Sequence, residues 1–145
     1  KRQHNKERVQ VAGRLDIDTT GLVLITDDGE WNHQLTAPNK RCGKVYQVEV
    51  EKPLHENLID KFEKGIWLKQ EKTRTLPAKL EILAQHQAQL TIYEGRYHQV
   101  KRMFAACDNH VVALHRSQIG AIKLDTSLAP GEYRPLTEDE LLALN

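Results

Sequence analysis

The segment KVYQVEV, residues 44–50, carries the clearest secondary-structure pattern of the chain. Apolar and polar side chains alternate along it, which is typical of a strand with one buried face and one exposed face. One register buries Tyr46 together with the valines that follow it at alternate positions, and a shift by one residue buries Val45 and Gln47 instead. In either register the segment predicts a half-buried strand of a sheet that covers a core.

Further short segments outside this strand are rich in branched apolar residues and predict more strands or extended backbone. They are VQVAGRLD (9–16), GLVLIT (21–26), AKLEILA (78–84), QLTIYEG (89–95), HVVALH (110–115) and AIKL (121–124). A polar turn around His86 and Gln87 joins two of them, which favours an antiparallel pair.

Apolar stripes and capping residues predict four helices, at residues 30–36, 54–64, 97–107 and 138–144. The second carries a stripe of Leu54, Leu58, Ile59 and Phe62. Asp27 or Asp28 caps the first helix, Gly65 ends the second, and Thr137 caps the last. Strands and helices do not alternate regularly, so the fold class is α+β: a mainly antiparallel mixed sheet with flanking helices.

Length and composition indicate one globular domain with an ordinary core. The chain has 145 residues, of which 39% are hydrophobic and 28% charged, and its net charge is +1. Residues 1–8 form a polar arm, and we assign residues 9–145 to the domain. No apolar run approaches the roughly 20 residues that cross a bilayer, so no membrane partner is expected. Cys42 and Cys107 are expected to be free thiols in a reducing cytoplasm.

The segment GRLDIDTTGL, residues 13–22, places an aspartate at the end of extended backbone between two glycines. Asp16 and Asp18 are turn residues in the simplest interpretation, with Thr19 and Thr20 as local caps. Alternatively, the two carboxylates point to one side and hold a hard cation such as magnesium. No third carboxylate lies nearby before the next strand, which disfavours a metal site.

The segment EGRYHQVKRMFAAC, residues 94–107, predicts a helix with one apolar and one cationic face. His98, Lys101 and Arg102 share the cationic face, and Arg96 lies in the preceding turn. A solvated basic face is one interpretation. However, three like charges within seven residues repel one another unless an anion compensates them, and a phosphodiester backbone or a buried carboxylate would serve. The helix start also offers N–H groups to a phosphate.

Tyr46 is either a core tyrosine or lies at the rim of a basic cleft, where it stacks on a base. The remaining histidines show no metal-ligand spacing, and no motif for a serine or cysteine nucleophile is present.

Four segments, in this order, resemble motifs of the bacterial rRNA pseudouridine synthases. They are GRLDIDTTGLVLIT (13–26), KVYQVEV (44–50), EGRYHQVKRM (94–103) and LHRSQIGAIKL (114–124). The resemblance runs from about Val11 to the C-terminus. It implies the catalytic-domain fold of that family and an isomerase that converts a uridine of 16S rRNA into pseudouridine.

The resemblance also implies roles for individual residues. Asp16 becomes the nucleophile, Tyr46 stacks on the extruded uracil, and Lys101 pairs with the aspartate at a position where many relatives have arginine. An adjacent Lys101 favours the ionised carboxylate that attack requires. The candidate RNA-binding residues are Arg14, Thr19, Arg96, His98, Gln99, Arg102 and Arg116.

The implied reaction only rearranges bonds of the substrate, so no cofactor and no metal are expected. The implied partner is 16S rRNA or a small-subunit assembly intermediate, bound by a monomer. Family members usually carry a small N-terminal RNA-binding module and further catalytic-domain residues before the aspartate motif, so the chain is expected to belong to a longer protein. Two other classes are open: a non-catalytic RNA-binding or assembly factor with this fold, and a metal-dependent hydrolase.

Overall fold

A computed structural model describes residues 10–12, 14–27, 29, 33, 38, 42–137 and 140. Its strands are β1 (Gln10–Ala12), β2 (Thr20–Gly21), β3 (Leu24–Thr26), β4 (Lys44–Val50), β5 (Lys79–Ala84), β6 (Gln87–Ile92), β7 (Val111–Ile119) and β8 (Ile122–Lys123). Its helices are α1 (Asn57–Lys64) and α2 (Gln99–Ala106).

Strand β4 is the centre of the main sheet, whose order in the described part of the chain is β2-β7-β4-β6-β5. It pairs antiparallel with β6 on one side and with β7 on the other. Strand β2 pairs parallel with β7, and β8 pairs antiparallel with β7. A separate two-stranded pair joins β1 and β3. The expected mixed, mainly antiparallel sheet with flanking helices is therefore confirmed.

Of the two registers predicted for β4, the structure has the one in which Tyr46 lies on the buried face of the sheet. Residues 44, 46, 48 and 50 are buried, whereas the side chains between them are half-buried or exposed. The buried face continues across β6 and β5 through Leu90 and Leu80. Burying such side chains contributes about 1.5–3 kcal/mol each, so this face supplies much of the stability of the sheet.

Helices α1 and α2 cover this face of the sheet, because each presents an apolar stripe to it. Phe62 of α1 and Phe104 of α2 are fully buried and meet edge to face, with ring centroids 5.0 Å apart. Helix α1 ends at Gly65, as predicted, with φ of 92°. Of the predicted stripe, Leu58 is also buried, whereas Ile59 is 37% exposed at the edge.

Some predicted boundaries differ from the structure. The predicted strand 21–26 is two short strands, because the chain leaves β7 after Gly21 and pairs with β1 from Leu24 onward. The helix predicted from residue 97 begins at Gln99, since His98 has left-handed backbone. The helix predicted at 30–36 lies largely outside the described residues.

Of the predicted final helix and its cap, only Thr137 and Glu140 are among the described residues. The Thr137 hydroxyl accepts a hydrogen bond from the backbone N–H of Glu140, at 3.2 Å. In return the Glu140 carboxylate accepts one from the N–H of Thr137, at 2.9 Å. This reciprocal pair is a capping box, and it confirms Thr137 as the cap.

Within the described part of the chain, no helix is long and apolar enough to cross a membrane. Cys42 and Cys107 are not joined in a disulfide.

Gly21 permits a close approach that fixes the aspartate segment to the sheet. Its φ is 123°, and a β-carbon built on it would overlap the backbone of Arg116 in β7. Beyond it, the N–H of Leu22 donates to the carbonyl of Arg116 at 2.8 Å. A larger residue at position 21 would therefore both strain the backbone and separate β2 from β7.

We predict that Gly21→Ala lowers the free energy of unfolding by roughly 2–4 kcal/mol, since backbone strain and a steric clash add together. Gly29→Ala is the matched control, because a β-carbon there meets nothing within 4 Å in the described structure. Urea unfolding of both variants measures the difference. Equal stability of the two variants would contradict the close approach.

Candidate active site

A cavity of about 420 Å³ opens where the turn after β1, the segment before α2 and the end of the sheet meet. Its volume lies within the range of roughly 300–1,000 Å³ that is usual for small-molecule sites. Apolar side chains of Ile92, Val100 and Leu114 form part of its wall. The polar lining residues are Arg14, Asp16, Thr19, Lys44, Tyr46, Arg96, Tyr97, His98, Gln99 and Arg116.

Asp16 begins a tight turn that aims its carboxylate at α2. The N–H of Thr19 donates to the Asp16 carbonyl at 2.9 Å, which closes a β-turn over residues 16–19. The turn interpretation of this segment is thus correct for its backbone. Two basic side chains flank the carboxylate: His98 Nε2 lies 3.7 Å from Asp16 Oδ1, and the Lys101 ammonium Nζ lies 3.8 Å from Asp16 Oδ2.

Lys101 lies between two carboxylates. Its ammonium donates a short hydrogen bond to Asp18 and is also close to Asp16. The hydrogen bond from Lys101 is the main reason that the pKa of the Asp18 carboxyl lies below its usual range. Asp18 is 65% exposed, whereas Asp16 is 30% exposed and lines the cavity. Asp16 thus differs from Asp18 in its lower exposure and in its position at the cavity. The spacing of the two residues in the sequence could not distinguish them.

His98 occupies a strained backbone position at the start of α2. Its φ of 48° and ψ of 39° are left-handed, a conformation that few residues other than glycine adopt. Its ring stacks on Tyr97, with centroids 3.8 Å apart, while Tyr97 itself is 75% exposed. Strained residues persist where the surrounding structure holds them, and they cluster at functional sites.

A buried carboxylate holds the segment before α2 in this strained shape. Glu94 accepts hydrogen bonds from the N–H of Leu76 at 2.6 Å and from the Gln99 side-chain amide at 3.0 Å. It also accepts one from Arg96 Nε at 2.9 Å. The Gln99 amide oxygen accepts from the N–H of Arg96, which closes the network.

Arg96 and Arg102 tie this segment to the loop between α1 and β5. Arg96 donates to the carbonyls of Thr73 and Arg74 at 2.9 and 2.6 Å. Arg102 donates to the carbonyl of Lys69 at 2.8 Å. Carboxylates therefore compensate the cationic face without RNA, since Glu71 lies 3.5 Å from Arg102 and Glu94 is buried beside Arg96.

The floor of the cavity is built from β4 and β7. Arg116, which is 1% exposed, donates from Nε and Nη2 to the carbonyl of Leu22, at 2.9 and 2.7 Å. Its Nη1 lies 3.5 Å from the hydroxyl of Tyr46, the residue it faces across the two strands. Lys44, two positions earlier on the same face of β4, is also buried and lines the cavity.

The structure brings most of the predicted site residues together. Asp16, Tyr46 and six of the seven predicted RNA-binding residues line the cavity, and Lys101 contacts Asp16. The exception is Arg102, which does not line it. Four of the predicted RNA-binding residues form hydrogen bonds within the chain and so help to position the site: Arg96, Gln99, Arg102 and Arg116. Their contact with RNA stays a prediction. Sequence reasoning missed Glu94 and Lys44, although the β4 alternation puts Lys44 on the same face as Tyr46.

The arrangement suits chemistry at a carboxylate beside a cavity with apolar walls and hydrogen-bond donors. In the described part of the chain, no group of three or more histidine, cysteine or acidic side chains could hold a metal ion. The position between Asp16 and Asp18 that the metal alternative would use is occupied by the Lys101 ammonium.

Comparison with known proteins assigns a family. Residues 1–106 match the family model described as RNA pseudouridylate synthase. Ribosomal small subunit pseudouridine synthase A of Escherichia coli (strain K12) is 58% identical over 137 residues, which cover 94% of this chain and 59% of that protein. The protein of the same name from Vibrio cholerae serotype O1 is 51% identical over 140 residues, covering 97% and 61%. The chain thus spans about three fifths of the length of these curated relatives.

Solved structures agree on the fold. A crystal structure of pseudouridylate synthase aligns with a TM-score of 0.91 at 55% identity, covering 96% of this chain and 60% of that chain. A structure of an H/ACA RNP bound to a substrate RNA containing 2′-deoxyuridine aligns with a TM-score of 0.55 at 18% identity, covering 83% and 41%. The second likeness concerns the fold alone. The first confirms the catalytic-domain fold expected from the four motifs.

We predict that Glu94→Gln lowers the free energy of unfolding by roughly 1–3 kcal/mol. The NH2 group of glutamine is a donor and would face N–H groups that now donate to the Glu94 carboxylate. The guanidinium of Arg96 would also lose the buried negative charge that it pairs with. Thermal melts measure the loss. Glu71→Gln is the matched control, since Glu71 is more exposed and lies 4.0 Å from Arg96. If Glu71→Gln is as damaging as Glu94→Gln, the buried network is not what holds the segment.

Proposed function

The chain belongs to the RNA pseudouridylate synthase family, and from that premise we propose that it isomerises a uridine of 16S rRNA to pseudouridine with Asp16 as the nucleophile. The names of its relatives in Escherichia coli and Vibrio cholerae refer to the small ribosomal subunit, which supports this RNA as the partner. The substrate is the rRNA itself or a small-subunit assembly intermediate.

The single observation that carries the proposal is the position of Asp16. Its carboxylate borders the cavity and has two basic side chains, His98 and Lys101, within 4 Å. Tyr46 lies in the same cavity, with its hydroxyl held near Arg116. An aromatic ring there offers a face on which an extruded uracil stacks.

The target base reaches this cavity only after it is flipped out of the RNA stack, at a cost of a few kcal/mol. Asp16 then attacks the anomeric carbon C1′ of the sugar or ring carbon C6, or removes a sugar proton in a glycal route. In each route the bond from C1′ to N1 breaks, the base turns, and a bond from C1′ to C5 forms. According to the route, Asp16 is displaced from C1′ by C5, is eliminated from C6, or returns the proton to the sugar. A proton leaves C5 and one is gained at N1, so the product is an isomer.

Docking of the RNA depends on groups at the mouth of the cavity. Arg14 is exposed and lines the cavity, so its guanidinium can reach a phosphate, a contact that positions RNA without selecting its sequence. His98 lies beside it in the lining, and the exposed ring of Tyr97 stacks on His98. We assign the protein to the cytoplasm, because the proposed substrate is rRNA, and we expect it to act as a monomer. We expect no cofactor, because the reaction neither hydrolyses nor oxidises the substrate.

Asp16→Asn is expected to lower the single-turnover rate of pseudouridine formation by at least about 1,000-fold, because an amide is no nucleophile, while RNA affinity stays near that of the wild type. The measurement is pseudouridine formed in unmodified 16S rRNA. Asp18→Asn is the matched control: it removes the other carboxylate on Lys101 and is expected to keep the rate within about tenfold. Binding without isomerisation by the wild-type chain would favour the non-catalytic alternative, and equal loss in both variants would contradict the choice of Asp16.

Tyr97→Ala is expected to weaken RNA binding by about 5-fold to 100-fold, the equivalent of one lost base–aromatic stacking contact. Filter binding or fluorescence anisotropy at fixed salt measures the change. Tyr133→Ala is the control, since Tyr133 is 86% exposed but does not line the cavity. If both variants bind RNA equally well, Tyr97 makes no stacking contact.

A further inference from the structure

Lys44, the first residue of β4, places an ammonium group in the wall of the cavity. Its side chain is 4% exposed, and Nζ has no hydrogen-bond partner among the residues that the structure describes. Across the cavity, Gly95 leaves room beside this group, since a β-carbon there would lie 4.0 Å from Nζ. Buried donors are almost always hydrogen-bonded, so a lysine in this position indicates a ligand that accepts from it.

The surroundings of Lys44 disfavour a purely structural role. Burial is the main cause that lowers the pKa of the Lys44 ammonium, and the nearby Arg116 lowers it further, although Cys42 and Glu94 act in the opposite direction. An apolar residue of similar length would fill this space without such a penalty. The charge is therefore kept at a cost to stability, as is common at functional sites.

A second polar group in the same cavity lacks a partner as well. The hydroxyl of Thr19, in the turn that carries Asp16, is buried and has no hydrogen-bond partner within the described part of the chain. Thr19 and Lys44 come from different elements, yet both line the cavity beside Asp16. Two unpaired donors in one cavity point to a ligand with more than one acceptor.

The proposed reaction supplies such a ligand, and the inference rests on that proposed function. Uracil carries two carbonyl oxygens. When the C1′–N1 bond breaks, its electron pair stays on N1 and spreads over both oxygens; addition to C6 likewise places negative charge on an oxygen. Each of the three routes thus creates charge at an acceptor that a fixed donor stabilises.

We infer that Lys44 Nζ donates a hydrogen bond to a carbonyl oxygen of the flipped uracil and stabilises the negative charge that develops there. Lys44 transfers no proton: the proton lost from C5 and the proton gained at N1 are exchanged elsewhere. Arg116 is less suited to this role, because two of its nitrogens already donate to the carbonyl of Leu22.

The test uses the full chain, unmodified 16S rRNA and the variant Lys44→Met. We expect the single-turnover rate to fall on the order of 100-fold, the usual effect of removing one donor from a developing oxyanion. The Kd for RNA and the melting temperature should not worsen. Lys79→Met is the control, since Lys79 also begins a strand but is exposed. It should match the wild type.

Thio-substituted RNA distinguishes contact with the base from a structural effect. Sulfur is a weak hydrogen-bond acceptor. If Lys44 contacts one oxygen of uracil, replacing that oxygen by sulfur already weakens the hydrogen bond. The further rate loss caused by Lys44→Met should therefore be smaller on RNA with 2-thiouridine or with 4-thiouridine at the target than on unmodified RNA. The thiouridine on which the loss is smaller identifies the contacted oxygen as O2 or O4. Undiminished losses on both RNAs would overturn the inference. If Lys44→Met does not fold, the same rates are measured for Lys44→Gln on the unmodified and the thio-substituted RNAs.

The two levels of the proposal fail differently. If the wild-type chain forms no pseudouridine while it binds the RNA, the proposed function fails and the role of Lys44 falls with it. If the wild type is active and Lys44→Met is equally fast, only the inference about Lys44 is overturned.

Discussion

The site depends on the bond between the guanidinium of Arg116 and the carbonyl of Leu22. Arg116 is almost fully buried, and two of its nitrogens hold that one oxygen while its own carbonyl accepts from the N–H of Leu22. The chain just after the Asp16 turn is thereby fixed to β7. Since β7 is hydrogen-bonded to β4, the same contacts set the distance from Asp16 to Tyr46 and Lys44.

The charges of the site are balanced mainly by carboxylates from other segments. Lys101 is shared by Asp16 and Asp18, and Arg96 is paired with the buried Glu94. Of the two anions that could compensate the cationic face of α2, phosphate or carboxylate, the folded chain supplies the carboxylate itself. The folded chain therefore compensates the cationic face by itself, and the bonds of Arg96 with Glu94 help to fix the segment that carries His98.

The cavity combines apolar walls with a few polar groups that converge on one space. Ile92, Val100 and Leu114 form part of its wall, and a charge beside apolar side chains interacts more strongly with nearby polar groups than it does in bulk water. The ammonium of Lys44, the hydroxyl of Thr19 and the carboxylate of Asp16 belong to residues that line this space.

Local patterns in the sequence predicted most of the strands and helices, and the ordered motifs predicted the family. The alternation of β4, the capping box at Thr137 and the glycine after α1 follow from local rules of backbone and side-chain geometry. The four motifs proposed Asp16, Tyr46 and Lys101 as site residues, and their roles stay predictions. Tertiary structure alone decided which carboxylate lines the cavity, that Arg116 and Gln99 are held by internal partners, and that Lys44 and Glu94 belong to the site at all. Most of those facts depend on contacts between residues far apart in the chain, such as Arg116 with Leu22, and spacing along one segment carries no information about the distances across a folded sheet. The contacts of Gln99 with Glu94 and Arg96 are local, but they depend on the backbone turn before the helix, which a residue pattern does not show.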